Sequence, residues 1–176
     1  MKRILTITLL VIACITQAQE LPSEAANGFA FPIGSKFTIK LIPEKSGNYN
    51  YSIIAFEPFE EIVDLFENDT LFEEKGEENT IVFYFCLGTR GETDQEREKN
   101  MQVLLLLKNY SKEALNYTSE IQVEEDGEYK WTSNVGTYPN VKTMEMWRDM
   151  IYSIGLRDFK KMSANNNKST GRKKKR

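Results

Sequence analysis

Two stretches of this chain, "TIVFYFCLG" (80–88) and "MQVLLLLKN" (101–109), are apolar in both phases of an extended strand. Successive strand residues point to opposite faces, so a run without a polar phase must be covered on both sides. The two runs therefore predict central strands with a layer of protein on each face. The connection between them, "TRGETDQEREK", is long and polar. Thr93 and Glu96 have the spacing of a capping box, which suits one helical turn there.

Other segments read as strands with one wet face. "KFTIKLI" (36–42) sets Phe37, Ile39 and Leu41 against Lys36, Thr38 and Lys40. The turn "PEKSGN" leads into "YNYSIIAF", rich in aromatic and β-branched residues. "SEIQVEEDGEYKWTS" (119–133) must turn near Asp126-Gly127. A three-residue loop, Glu125 to Gly127, pairs Val123 with Tyr129 and Ile121 with Trp131. That separates an apolar face from a polar one and gives Gly127 the positive φ. Two segments stay open. "PFEEIVDLFEN" (58–68) has helical spacing behind Pro58, or continues the preceding strand as an irregular edge. "MEMWRDMIYSIGLRDF" (144–159) also has a helical spacing. Gly155 argues against a helix, so a turn over 144–149 followed by a strand from Ile151 to Phe159 is preferred. About seven strands with short turns predict an all-β fold, an antiparallel β-sandwich, with one or two short helical turns.

Two stretches carry a resemblance. "LLLKNYSKEALNYTSEI" resembles a strand pair of bacterial extracytoplasmic immunoglobulin-like domains. "TSNVGTYPNVKTMEMWRDMIYSIGLRDFKK" is similar to the closing stretch of small exported proteins of that kind, and the likeness covers the last third of the chain. It implies an immunoglobulin-like sandwich and no activity, because that fold hosts many functions.

The first residues concern address rather than fold. Lys2 and Arg3 precede an apolar run, Ile4 to Ile15, too short to span a bilayer and placed as a secretory signal. Thr16 and Ala18 suit cleavage after Ala18, giving a periplasmic or secreted product that begins at Gln19. "VIAC" (Val11 to Cys14) satisfies a loose lipobox, whose use would instead anchor the protein to a membrane through acylated Cys14. The expected organisation is a signal over 1–18, an extended lead-in over 19–34, a sandwich over 35–162 and a disordered basic tail over 163–176. Charge divides along the same lines. Of 23 basic residues six lie in the tail and two in the signal, leaving fifteen against all 26 acids in the body. An acidic body disfavours nucleic acid, while the tail offers a weak contact to anionic lipid.

Catalytic chemistry is sparse. There is no histidine, which removes His-based triads and His-ligated zinc. Cys86 alone remains after the signal and sits among Phe85 and Leu87, where a buried inert thiol is expected. The acids from Glu57 to Glu78 lack the spacing of a calcium loop and read as a solvated loop. No cofactor or metal is expected. These features predict a non-enzymatic envelope protein that offers a sandwich face or an edge strand to a protein partner. The alternatives are carbohydrate binding through exposed aromatics and, behind it, a two-carboxylate glycosidase. Trp147 and Arg148, in the expected turn, are the candidate ligand-binding residues; Trp131 is assigned to the core.

Overall fold

The computed structural model describes residues 21–163, apart from 23 and 46. The signal, Cys14 and all but the first residue of the basic tail lie outside the described residues. Ten strands succeed one another: β1 (Gly28–Pro32), β2 (Ser35–Pro43), β3 (Asn48–Pro58), β4 (Val63–Asp64), β5 (Thr80–Thr89), β6 (Gln102–Asn109), β7 (Leu115–Gln122), β8 (Lys130–Thr132), β9 (Lys142–Trp147) and β10 (Ser153–Lys161). The class is all-β and antiparallel, as expected, with the single parallel strand pair β4–β5. The strands exceed the expected seven partly because residues 28–32 of the lead-in also pair. Eight strands form one path, β8-β7-β10-β3-β2-β5-β6-β9, with β1 added to β10 and β4 to β5. The path curls, so that residues of β1, β7 and β10 share one core with residues of β2, β5 and β6. No helix among the described residues is long and apolar enough to cross a membrane.

The two-phase runs became β5 and β6, each flanked by strands on both edges. Ile81, Phe83, Phe85, Val103, Leu105 and Leu107 face the main core. The opposite phase, Tyr84, Cys86, Leu104 and Leu106, forms a second cluster with Val63, Leu65 and Phe72. Strand β2 buries Phe37, Ile39 and Leu41 and leaves Lys36, Thr38 and Lys40 half-buried. The capping box forms at α1 (Asp94–Lys99), where Thr93 accepts the Glu96 N–H and Glu96 reaches back to the Thr93 N–H.

At β10 one edge is shared between two partners. Ser153 to Arg157 pair with β1, while Phe159 and Lys160 pair with Tyr49 and Asn48 of β3. Asp158, at φ 56°, marks the switch. Where β1 and β3 part, the Tyr51 hydroxyl closes the gap. It donates to the Leu156 carbonyl at 2.6 Å and accepts the Phe29 N–H at 2.8 Å.

Several expectations are corrected. The β7–β8 ladder sets Trp131 opposite Glu120 and Lys130 opposite Ile121, one residue away from the expected register. The Gly127 N–H donates to the Glu124 carbonyl at 2.9 Å, and Asp126, at φ 62°, takes the left-handed position instead of Gly127. Aspartate tolerates that conformation because its short side chain can bond locally. The shift turns Trp131 outward, where it is 70 % exposed.

Residues 58–67 are not helical. Pro58 ends β3 and Val63–Asp64 form β4, after which the Asp64 carboxylate accepts the N–H groups of Phe66 and Glu67 in a turn. Val63 and Leu65 then point the same way, with the spacing of a strand. The acidic segment is solvated along its carboxylates, as expected, but it also forms a strap over residues 59–78: Phe59, Val63, Leu65, Leu71 and Phe72 roof β5 and β6, while Ile62 and Phe66 stay exposed. Nor do residues 144–149 make a turn. Strand β9 runs on to Trp147, held by β6 from Val103 to Lys108.

Candidate functional site

The strap leaves the second cluster open on one side. Over β9 its roof stops, and Met144, which packs against the cluster, adjoins half-exposed Met146. The opening is a cleft of about 450 Å³. Its floor is Leu65, Met144 and Met146, and its rim carries Phe66, Arg90, Gln102 and Arg148. Each polar rim residue comes from a different place: Arg90 follows β5, Gln102 starts β6, and Arg148 follows β9. Phe66 is 72 % exposed at the mouth.

Arg90 and Arg148 make the rim cationic. Most lysines near acids are compensated: Lys36 by Glu57 at 2.6 Å, Lys112 by Glu78 at 2.6 Å, Lys161 by Glu113 at 2.7 Å, and Lys142 by Asp69. The pair with Lys142 holds the Asp69 carboxyl below its ordinary value. The guanidinium groups of Arg90 and Arg148 have no hydrogen-bond or ion-pair partner among the described residues. Two free guanidinium groups above a thioether floor, with a phenyl group at the mouth, suit a carboxylate or phosphate attached to an apolar body.

The two nominated residues part company. Alternation along β9 sends Met144 and Met146 outward with Arg148 following them to the cleft, whereas Trp147 turns inward against the main core. The Trp147 indole N–H donates to Thr132 Oγ1 at 3.3 Å, which ties the two ends of the strand path together. Trp147 is thus a seam residue, and Trp131, assigned to the core, is the exposed tryptophan. Arg90, Phe66 and the two methionines were missed; reading "MEMWR" as an alternating strand would have placed Met144, Met146 and Arg148 on one face.

Glu145 shares the inner face of β9. It is half-buried, and burial raises its pKa against the opposing bond from the Val135 N–H, which its Oε1 accepts at 3.0 Å. Tyr117, almost wholly buried nearby, is held protonated by desolvation and then by the Glu145 charge. Cys86 lies under the strap, where burial pushes its thiol up to about 12, as an inert core thiol requires. Among the described residues no group of three or more Cys, Asp and Glu is placed to hold a metal ion. Comparison with protein-family models, with curated proteins and with solved structures finds no match to this chain.

Proposed function

We propose that this is an exported, non-enzymatic binding protein of the bacterial cell envelope, periplasmic or secreted, of the immunoglobulin-like kind that its closing stretch resembles. Its protein partner docks at β9 and the adjoining cleft. The observation that carries the reading is the pair of uncompensated arginines, Arg90 and Arg148, on an otherwise acidic body. Strand β9 ends the path, paired with β6 on one edge only. Among the described residues its other edge carries no ladder, only the side-chain bonds to Thr132 and Val135, and can add an extended segment through main-chain hydrogen bonds. An acidic side chain of that segment would be gripped by the arginines, and an apolar one would fill the floor of Met144 and Met146.

A photo-crosslinking residue in place of Met146, introduced in the native envelope, tests this. It should give a discrete adduct that disappears in the Arg90→Glu/Arg148→Glu variant, while the same residue at exposed Glu125 gives none. An adduct that survives charge reversal, or none at all, overturns the reading. For the address, intact mass should show a chain beginning at Gln19; a mass beginning at acylated Cys14 would place the protein on a membrane instead.

A further inference from the structure

At the other end of the strand path the outer surface has a different chemistry. Trp131 stands on β8, and beside it lies a depression of about 230 Å³. Its lining includes the side chains of Asn116, Thr118, Ser133 and Lys160. None of these four makes a hydrogen bond or ion pair to another described residue. An amide, two hydroxyls and an ammonium are therefore unengaged around an indole that is 70 % exposed. Thr118 and Lys160 also line a second depression, of about 500 Å³, which continues along the same face past Asn50 and Asp158.

We propose that this face binds a neutral oligosaccharide, with one pyranose ring stacked on Trp131 and the next lying in the adjoining depression. A pyranose has an apolar face of C–H groups and a polar rim of hydroxyls. The first packs on an aromatic face, and the second needs donors and acceptors set around that face. Asn116 supplies both at once, Thr118 and Ser133 supply hydroxyls, and Lys160 donates. The core of a protein interface has a different composition, apolar and depleted of charge, and Trp131 has no apolar surround of that kind.

The charge pattern selects a neutral ligand. Arg157 is already bound to both carboxylate oxygens of Glu120, at 3.1 and 2.8 Å, and to Asp158. Glu44, the other acid of the second depression, accepts from Asn50 at 2.6 Å. Lys160 lines both depressions with no ion pair among the described residues, opposed by acids on the same face. An acidic glycan would meet more repulsion than attraction there.

The test is an array of neutral and uronic-acid oligosaccharides probed with the purified full chain, followed by calorimetric titration with a retained neutral tetrasaccharide. Trp131→Ala should weaken binding about tenfold or more, the loss of a stacked ring. Asn116→Ala and Lys160→Ala should each weaken it several-fold, Trp131→Tyr should retain most of it, and Arg148→Glu should leave it unchanged. Trp131→Ala is expected to melt like the parent, because its indole is exposed. Failure of every neutral glycan to bind, binding that ignores Trp131→Ala, or retention of uronic acids alone would overturn the proposal. So would a concentration-dependent dimer in sedimentation velocity that Trp131→Ala dissolves, since the face would then belong to a second copy.

Discussion

Strands β5 and β6 bury both faces, but by different means. Their inner face meets other strands of the same sheet, whose positions are fixed by continuous ladders. Their outer face meets a strap held by one two-residue ladder, β4, by ion pairs of Lys40 with Glu77 and Lys142 with Asp69, and by side chains reaching up to its carbonyls. Tyr84 donates to Leu71 at 2.6 Å, Tyr110 and Lys108 donate to Glu73 at 2.7 Å, and Thr80 donates to Glu77 at 2.6 Å. Two glycines let the strap lie close: a Cβ at Gly76 would come within 2.5 Å of the Tyr110 ring, and one at Gly88 would stand 3.2 Å from the Val63 carbonyl oxygen. The inner layer shares its ladders with the whole sheet, whereas the outer one has a single short ladder, so local opening of the strap is the expected behaviour. Apolar burial alone does not make two regions equally stable.

The harshest way to break this contrast is Phe83→Ala, which empties a fully buried site of the main core. A loss of about 3–5 kcal/mol is expected in urea denaturation, with both layers lost together. A loss under about 1 kcal/mol would show that the inner layer is not the main support.

Phe72→Ala weakens the strap instead, by about 2–3 kcal/mol locally. Cys86 reports it, because its thiol lies in the second cluster with a pKa near 12. Labelling by a thiol reagent at pH 8 should be negligible in the parent and much faster in the variant, with the melting temperature little changed. If labelling tracks global unfolding in both proteins, the strap has no independent opening and the contrast fails.

Tyr51→Phe sharpens the inner side of the comparison. It leaves the ring in place but removes the bonds to Leu156 and Phe29, at a cost of about 1–2 kcal/mol. Hydrogen exchange should rise first at Phe29. Uniform loss across the sheet would mean that β1 does not depend on this hydroxyl.

The smallest effect is at Glu145. Its folded pKa lies above the unfolded value near 4.5, so the folded state binds the proton more tightly. The charged form therefore costs stability as pH rises from about 4.5 through the raised value. Glu145→Gln should gain under about 1 kcal/mol at pH 7 and nothing at pH 4, since half-exposure screens the charge. An equal gain at both pH values would assign the effect to packing.

Legibility followed the number of neighbours each strand has. β5, β6 and β2 were readable because flanking strands make their side-chain pattern decisive. Strand β8 has only three residues and one partner, so a register that would bury Trp131 lost to a turn in which Asp126, not Gly127, takes positive φ. The strap was hidden by composition, since Val63, Leu65 and Phe72 are scattered among acids that dominate any local average. For the site, Arg148 could be singled out but not joined to Arg90, which only the β5–β6–β9 pairing brings to the same rim. Trp147 was mistaken for its companion because neighbours in a strand face opposite ways.

The pairing of β1 with β10 fixes the order in which this protein can be completed. β10 lies in the middle of the sheet, between β7 on one side and β1 and β3 on the other. A chain delivered from its first residue onward must wait for its last strand before the centre is filled. Until Lys161 is free, three strand edges have no neighbour to pair with, which is a state prone to aggregation and in need of escort. Contacts so distant in sequence also form slowly.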